Sequence, residues 1–367
     1  MKYVIEKEKG RPAYIQLYEQ LREDILTGRC PPGSRLPSKR QLCMELGISV
    51  ITAEHAYSLL CEEGYAESRQ RSGYYALNVP GSFHPASGGH PARGAAVGES
   101  GDIPFPFTVL SRAMRRTLSD AQERILQKSP PNGCAELREA LSAYLARSRD
   151  IRVSPEQIVV GSGAEYLYTL VAQLLGRDSV FALEEPSYGQ IRQVYEAQGI
   201  RCEGLSLGED GIGDGELART KAKVLHVTPY HSFPSGVTAS SERRAAYIQW
   251  AKNRGGVIVE DDFDSEFTLS RHSEPTVFSL SPEESVIYMN TFSRSIGPSL
   301  RVGYMLLPPG LAGEYREKLG FYSCTVPVFE QLLLSELLNS GDFERHINRV
   351  RRRLRKAAED NEAEVIQ

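Results

Sequence analysis

A stretch of 23 residues from Pro80 to Asp102 divides the sequence into two parts, because 16 of these residues are Gly, Pro, Ala or Ser. A segment with so little apolar bulk cannot offset the entropy of its own ordering. We interpret residues 80–102 as a flexible linker. The alternative is a long surface loop inside one domain, but structureless loops of this length are uncommon in compact domains. The sequence therefore predicts a small module in residues 1–79 and a larger domain from residue 103 onward.

The composition excludes several classes of protein. The sequence contains no run of 18 apolar residues, so no membrane-spanning helix is predicted, and residues 1–7 lack the apolar core of a signal peptide. The six cysteines include no Cys-x-x-Cys pair, which predicts reduced thiols rather than a disulfide or zinc framework. A net charge of −4 argues against indiscriminate nucleic-acid binding but permits a local basic surface. We therefore expect a cytoplasmic protein without a metal site or a membrane partner.

The small module begins with the pattern of three helices. Apolar residues recur on one stripe of residues 12–28, which predicts the first helix. Ser38 begins a second helix, and Ser49 begins a third helix that reaches about Glu63. The connection Gly47-Ile48-Ser49 is short enough to make the second and third helices cross steeply, as in a helix-turn-helix.

Residues 65–68 and 74–77 then alternate as two short strands with a basic tip, which completes a winged helix-turn-helix. Between Ile25 and Met44 the chain carries four basic residues and no acid. Basic groups at the second helix and the wing suit DNA phosphates, while the third helix suits the major groove. A helical protein-interaction module with solvated charges is the alternative. The predicted DNA-contacting residues are Arg35, Ser38, Lys39, Arg40, Ser49, Thr52, His55, Arg69 and Arg71.

The module closely resembles the GntR-type winged helix. The resemblance rests on the motifs Pro12-x-Tyr14-x-Gln16-Leu17-Tyr18, Gly33-Ser34-Arg35-Leu36-Pro37-Ser38-x-Arg40 and Leu46-Gly47-Ile48-Ser49-x-x-Thr52. It implies a double-stranded DNA operator as partner. The third helix of that family usually begins Ser-Arg-x-Thr, often with a further Arg, whereas Val50, Ile51 and His55 occupy those positions here. Two cations are missing from the expected base-reading face, which predicts altered or weaker base readout rather than loss of DNA binding. Arg40, Thr52 and His55 are the best remaining candidates for DNA contacts.

The region after the linker alternates strand-like and helix-like segments. The strand patterns are 158–160, 179–183, 224–227 and 257–259, and the helix patterns are 137–146, 165–175, 191–198 and 241–253. This alternation predicts βαβ units around a mostly parallel sheet. The expected fold is thus a winged helix-turn-helix followed by an α/β domain.

Several predicted strands end in polar motifs. Ser162-Gly163-Ala164 opens a helix, where small residues let backbone N–H groups reach an anion. Glu184-Glu185-Pro186-Ser187-Tyr188 offers an aromatic face, and residues 257–264 end in four acids. Asn290-Thr291-Phe292-Ser293-Arg294-Ser295, with Arg301 after it, supplies hydroxyls and arginines suited to a second phosphate-binding element.

In this order the motifs resemble those of the fold-type-I aminotransferases, and with the GntR-type module they resemble the MocR/GabR group of regulators. The resemblance implies a pyridoxal-5′-phosphate (PLP) site at the strand ends, the usual ligand position in open α/β sheets. It implies that Tyr188 stacks on the pyridine ring and that Asp261 pairs with the protonated ring nitrogen. The implied phosphate-binding residues are Ser162, Gly163, Ala164, Thr291, Ser293 and Arg301.

Three positions depart from the aminotransferase pattern. The lysine that binds PLP covalently should follow Ser293, and Arg294 stands there. A guanidinium, with a pKa above about 12, cannot form that bond and is a very poor base at neutral pH. Phe263 replaces a tyrosine that approaches the phenolic oxygen of the cofactor. Lys128 replaces a tyrosine that reaches the phosphate from the partner subunit, where it could bind phosphate, supply an amine, or be a solvated loop charge.

The aminotransferase-like domain is predicted to span residues 103–342, and residues 343–367 to form a linking helix at the start of a truncated smaller domain. In the aminotransferases that smaller domain supplies an arginine for the substrate α-carboxylate, and this sequence ends at Gln367 before any match to it. A naturally short protein and a truncated one are both compatible with that end. The basic run from Arg345 to Lys356 is expected to form the exposed face of the helix.

The favoured hypothesis is a transcriptional regulator that reads DNA through residues 1–79 and dimerises through its aminotransferase-like domain. Fold-type-I domains form homodimers with composite sites, so two DNA modules would be tethered together. The domain is expected to sense non-covalent PLP, its amine form or another phosphorylated or amino metabolite, without transaminase turnover. An aminotransferase with an unusual amine donor and a degenerate domain that serves only dimerisation are the alternatives.

Overall fold

A computed structural model describes residues 3–5, 12–62, 65–69, 72–77, 104–268, 275–281 and 285–365. The chain forms two compact units, one N-terminal and one C-terminal. The predicted linker, residues 80–102, lies outside the described residues. All six cysteines are free thiols. No helix in the described ranges is long and apolar enough to cross a membrane.

The N-terminal unit has the predicted winged helix-turn-helix fold. Two strands pair antiparallel, with Ala66 opposite Ala76, and each begins within one residue of its predicted position. Its described elements are α1 Ala13–Leu26, α2 Lys39–Leu46, α3 Val50–Glu62, β1 Ala66–Arg69 and β2 Gly73–Ala76.

Serine side chains begin α2 and α3, as predicted. Ser38 Oγ accepts a hydrogen bond from the backbone N–H of Gln41, and Ser49 Oγ accepts one from that of Thr52, each over 3.1 Å. Gly47 ends α2 with φ 62°, a left-handed conformation that glycine adopts without steric cost. These local signals fix the sharp turn that separates the two helices.

A single core holds the helices of this unit to its wing. Leu17 of α1, Leu42 of α2 and Leu60 of α3 are fully buried. The ring of Tyr57 on α3 stacks on the ring of Tyr74 on β2, with centroids 4.1 Å apart. The wing is therefore attached to α3 through an aromatic pair.

The C-terminal unit alternates strands and helices, as the pattern predicts. Its strands are β3 Ile158–Gly161, β4 Val180–Glu185, β5 Arg201–Gly208, β6 Gly211–Ile212, β7 Val224–Val227, β8 Val257–Asp261, β9 Val286–Thr291 and β10 Gly303–Leu306. Its α-helices are α4 Phe107–Ala121, α5 Ala135–Ser148, α6 Ala164–Leu175, α7 Gly189–Ala197, α8 Asp214–Arg219, α9 Ser241–Arg254, α10 Val277–Leu280, α11 Pro309–Leu319, α12 Val328–Asn339 and α13 Asp342–Val365.

The described strands of this unit form one eight-stranded sheet in the order β3-β10-β9-β8-β7-β4-β5-β6. The pairs from β9 through β5 are parallel, while β10 runs antiparallel to β3 and β9, and β6 runs antiparallel to β5. The central sheet is therefore mostly parallel, as predicted. Strands β3, β7, β9 and β10 are buried over nearly their whole length, which is typical of a sheet covered on both faces.

Helix α13 corrects one prediction about the basic run from Arg345 to Lys356. His346 is buried rather than exposed, and Arg351 is half-buried with its Nε donating to the backbone oxygen of Glu266 over 2.6 Å. The reason is that His346 lies on the same stripe of the helix as the buried Phe343 and Val350. The remaining arginines of the run point to solvent or to the helix margin.

Candidate functional site

A cavity of about 320 Å³ opens at the carboxyl ends of the central parallel strands. It is bordered by the first turns of α6 and α7 and by the residues that follow β7, β8 and β9. Eight of the eleven predicted cofactor-binding residues line it: Ala164, Tyr188, Asp261, Phe263, Thr291, Ser293, Arg294 and Arg301. The structure thus brings together residues that lie up to 137 positions apart in the sequence.

Ser162, Gly163 and Lys128 do not line the cavity. Ser162 Oγ accepts a hydrogen bond from Thr325 Oγ1 over 2.9 Å. Gly163 has φ 92°, and a Cβ there would lie 2.7 Å from Nη2 of Arg301. Glycine therefore gives the Arg301 guanidinium room beside the start of α6. Lys128 is exposed in a loop, and its predicted contact with a partner subunit stays a prediction.

Two of the cavity-lining residues, Ser293 and Arg301, carry groups suited to an anion. Arg301 forms an ion pair with Glu165, whose Oε2 lies 2.5 Å from Nη2 of the arginine. Ser293 Oγ is buried and has no hydrogen-bond partner among the described residues. An unpartnered buried hydroxyl beside a guanidinium is a donor in need of an acceptor, which a phosphate oxygen can supply.

A buried carboxyl group also lines the cavity. Asp261, at the end of β8, accepts a hydrogen bond from the hydroxyl of Tyr168. Burial raises the pKa of Asp261 to about 6, and the hydrogen bond from Tyr168 opposes that rise. His226 lies next to them, with Nε2 3.9 Å from Asp261 Oδ2 and Nδ1 2.9 Å from the hydroxyl of Tyr195. Burial lowers the pKa of His226 to about 3, so its ring is neutral.

Two aromatic rings form part of the cavity wall. Tyr188 precedes α7 and contacts the ring of Phe233 edge-to-face, with centroids 6.1 Å apart. Phe263 follows β8 and is half-buried. These rings provide apolar faces for a planar ligand.

Arg294 is held by a buried acid. Its guanidinium forms an ion pair with Asp264 and lies 5.4 Å from the centroid of Phe267. The second carboxylate oxygen of Asp264 lies 3.1 Å from Nδ1 of His231. Arg294 therefore faces the cavity as a cation that is already paired, and it offers no free amine.

The four acids around the end of β8 have different surroundings. Asp261 faces the cavity, whereas Glu260 accepts hydrogen bonds from the backbone N–H groups of Val277 and Phe278, each over 2.8 Å. Burial and the charge of Asp262 raise the pKa of Glu260 to about 7. Successive strand residues point to opposite faces, so neighbours in sequence serve different environments.

Asp262 belongs to a buried ionic cluster away from the cavity. It pairs with the guanidinium of Arg149 and accepts a hydrogen bond from the hydroxyl of Tyr288 over 2.7 Å. Glu266 lies close to both, and burial raises its pKa to about 7. Arg149 is the cation that this group of acids shares.

The N-terminal unit presents most of the predicted DNA-contacting residues at its surface. Lys39 and Thr52 are half-buried, and Lys39 forms a 2.9 Å ion pair with Glu54 of α3. Arg71 lies outside the described residues. The exposed members of the set are Arg35, Ser38, Arg40, Ser49, His55 and Arg69.

Comparison with known proteins agrees with both units. Residues 13–75 match the family "Bacterial regulatory proteins, gntR family", and residues 99–360 match "Aminotransferase class I and II". The HTH-type transcriptional regulator YdeL of Bacillus subtilis is 31% identical over 94% of this chain and 77% of its own length. The probable rhizopine catabolism regulatory protein MocR of Rhizobium meliloti is 28% identical over 95% of this chain and 76% of its own length. The chain belongs to the MocR-type regulators.

Solved aminotransferases share the fold of the C-terminal unit of this MocR-type chain. LysN of Thermus thermophilus, an alpha-aminoadipate aminotransferase, is 30% identical with a TM-score of 0.62, covering 71% of this chain and 68% of that one. The Pyrococcus horikoshii kynurenine aminotransferase is 26% identical with a TM-score of 0.62, covering 68% and 64%. The chain thus spans about three quarters of its curated relatives and slightly under two thirds of that second structure.

Five cavity residues of this MocR-type chain are absent from the predicted set: Glu165, Tyr168, Ile191, Thr228 and Phe233. Glu165 lies next to Ala164, the last residue of the predicted anion motif, and Tyr168 lies about one turn further along α6. The helical period could therefore have identified both residues. Thr228 directly follows strand β7 and Phe233 lies in the loop after it, at the edge where ligands bind in such sheets. Ile191 carries no signal that separates it from an ordinary buried residue.

Proposed function

We propose that this MocR-type regulator binds an operator through its winged helix and holds PLP, or a related phosphorylated or amino metabolite, non-covalently in the cavity of its aminotransferase-like domain. The observation that supports the proposal is the pairing of Arg294 with Asp264 in the cavity, at the position that the family resemblance assigns to the PLP-binding lysine. The cavity around it keeps the other groups that such a ligand requires. The proposed domains are residues 1–79, a linker at 80–102, an aminotransferase-like domain at 103–342 and a linking helix from 343.

The residues present fit the phosphate and the ring of PLP. The unpartnered hydroxyl of Ser293 and the guanidinium of Arg301 are available to phosphate oxygens, and Thr291 adds a second hydroxyl. Asp261, in its ionised form, would accept a hydrogen bond from a protonated ring nitrogen. When bound, PLP supplies an electron-withdrawing ring. The aromatic faces of Tyr188 and Phe263 would border that ring.

The residues do not fit covalent attachment of PLP. A guanidinium is protonated at any physiological pH, and its lone pairs are delocalised. Arg294 is also ion-paired with Asp264. Phe263 has no hydroxyl to donate to the phenolic oxygen. Arg294 would therefore orient a bound anion without exchanging its amine, and transaminase turnover is not expected.

Binding in the cavity would act on DNA through the arrangement of two copies. We propose a homodimer of the aminotransferase-like domain, in which two tethered winged helices meet two half-sites of the operator. A ligand shifts such an assembly only when it binds two conformations with different affinity. The proposed effector is thus a ligand whose phosphate and ring are bound more tightly by one conformation of the dimer than by another.

The deciding experiment measures ligand binding and covalent attachment separately. Wild type and Arg294→Lys are titrated with PLP by calorimetry, then reduced with borohydride and weighed by intact mass spectrometry. Wild type is expected to bind PLP saturably and to keep its unmodified mass. Arg294→Lys is expected to gain the mass of one phosphopyridoxyl group. A stoichiometric adduct on wild type contradicts the non-covalent proposal and supports an unusual enzyme. Absence of binding by wild type contradicts the sensor and leaves a dimerisation domain.

A further inference from the structure

The first turn of α3 exposes two branched apolar side chains. Val50 is 51% exposed and Ile51 is 66% exposed. The helix already packs its core face, because Ala53, Tyr57 and Leu60 are each fully buried. At 100° per residue Ile51 points almost directly away from that face. The core of the unit therefore does not use Ile51.

The outward face of α3 carries no cation. Glu54, His55 and Ser58 share it with Ile51, and all of them are exposed. The 2.9 Å contact with Lys39 lowers the pKa of Glu54, so Glu54 is a carboxylate. The commonest base contact in a major groove is an arginine or lysine on guanine, and this face cannot make it. The contact that a branched apolar side chain can make there is with the C5 methyl group of thymine.

Exposed basic groups of the same unit indicate DNA as the partner of the apolar pair. Arg40 of α2 is exposed, and so is Arg35, which precedes α2. Arg35 also lies against the wing, because a Cβ at Gly73 would be 3.4 Å from its Nε. A unit that exposes an apolar pair on α3, a guanidinium group on α2 and another against the wing complements a polyanion with apolar groups in its groove.

We propose that Ile51, with Val50 beside it, contacts thymine methyl groups, so that the operator of this chain carries T·A pairs opposite the first turn of α3. The inference rests on the proposed DNA binding and adds the base class that is read. Removal of one buried methyl group weakens an apolar contact by about fourfold in Kd.

The test replaces thymine by deoxyuridine, which removes only the C5 methyl group. An operator is first selected from random duplex DNA with the full chain and then remade with single deoxyuridine substitutions. Wild type is expected to lose about fourfold in affinity at one or two positions of each half-site. Ile51→Ala is expected to bind the thymine operator about as weakly as wild type binds the deoxyuridine operator. At the position that Ile51 contacts, this variant should show no difference between thymine and deoxyuridine.

A matched control uses another exposed apolar residue of the same unit. Val4 is 59% exposed and lies before α1, so Val4→Ala is expected to keep the wild-type response to deoxyuridine. The inference is overturned if wild type binds its operator with the same affinity after every deoxyuridine substitution, or if Ile51→Ala keeps the wild-type response to deoxyuridine. The proposed operator binding would stand in either case. Failure to select any DNA sequence overturns the proposed operator binding and the inference with it.

Discussion

Glu165 and Arg301 form an ion pair at the start of α6, with Oε2 of the acid 2.5 Å from Nη2 of the arginine. Their side chains are 39% and 48% exposed, so solvent screens the pair and its contribution to stability is about 0–1 kcal/mol. The pair nevertheless places a carboxylate at the arginine that a phosphate would use. An incoming phosphate must displace Glu165 or share Arg301 with it.

The first prediction follows from that competition. Glu165→Gln removes a negative charge beside the phosphate position and should tighten PLP binding by up to about fivefold, an effect that shrinks as salt is raised. Calorimetric titration with PLP measures it. Pyridoxal, which lacks the phosphate, should bind both proteins equally. Glu314→Gln, on the exposed face of α11, is the matched control and should change neither affinity.

The second prediction concerns the buried carboxyl of Asp261, whose pKa is raised to about 6 by burial. A raised folded-state pKa means that the folded protein holds this proton more tightly than the unfolded chain. The contribution to stability is therefore complete below about pH 4 and is lost as pH rises through about 6. Asp261→Asn has no such loss, and its side-chain oxygen can still accept from Tyr168.

The free energy of unfolding of Asp261→Asn, relative to that of wild type, should therefore increase by at most about 3 kcal/mol as pH rises from about 4 to 7. Denaturant unfolding at a series of pH values measures the difference. The same variant should bind PLP more weakly, because a neutral amide pairs less well with a protonated ring nitrogen. A constant difference in stability across this pH range would contradict the raised pKa.

The position of the cavity at the strand ends could be predicted from the sequence, because the polar motifs follow the predicted strands. Their order along the chain also resembles that of the aminotransferases. Asp261, Thr291 and Ser293 each follow a run of apolar strand residues, and parallel strands bring such ends to one edge. The winged helix could be predicted for a similar reason, since Ser38 and Ser49 are local caps whose effect needs no distant contact.

Features that depend on tertiary partners could not be predicted in this way. The pairing of Arg294 with Asp264 joins residues 30 positions apart, and that of Arg301 with Glu165 joins residues 136 apart. Side-chain pairing over such separations depends on the packed sheet. The predicted exposure of His346 is wrong, because the arginines around it outnumber the apolar residues Phe343 and Val350 that share its buried stripe. Charge in a sequence window indicates exposure on average but does not assign a face.

The third prediction tests the structural role of the buried ionic cluster. The side chains of Arg149 and Asp262 are 8% and 3% exposed, and Glu260 and Glu266 lie nearby. Arg149→Met leaves these acids without their cation, which should destabilise the fold by about 3–5 kcal/mol. Thermal or denaturant unfolding measures the loss. Arg152→Met is the control, because Arg152 is 87% exposed and lies 4.0 Å from Asp150, so it should cost under about 0.5 kcal/mol.

The fourth prediction separates phosphate contacts from base contacts in the winged helix. Arg40 is exposed on α2 rather than on α3, and is expected to meet a DNA phosphate. Arg40→Ala should then weaken binding to the operator and to unrelated duplex by the same factor. It should also reduce the slope of log Kd against log salt concentration by about 0.9, the value for one phosphate neutralised.

Retardation assays on both duplexes over a range of salt concentrations measure the two quantities together. Thr52→Ala is the informative counterpart, because Thr52 lies on α3, the helix expected in the major groove, with its hydroxyl 2.8 Å from Ser49 Oγ. It should weaken operator binding alone and leave the salt slope unchanged. Arg152→Ala, in the C-terminal unit, should alter neither. If Arg40→Ala weakens binding to the operator but not to unrelated duplex, Arg40 contacts a base rather than a phosphate. Helix α2 would then take part in base recognition, contrary to this prediction.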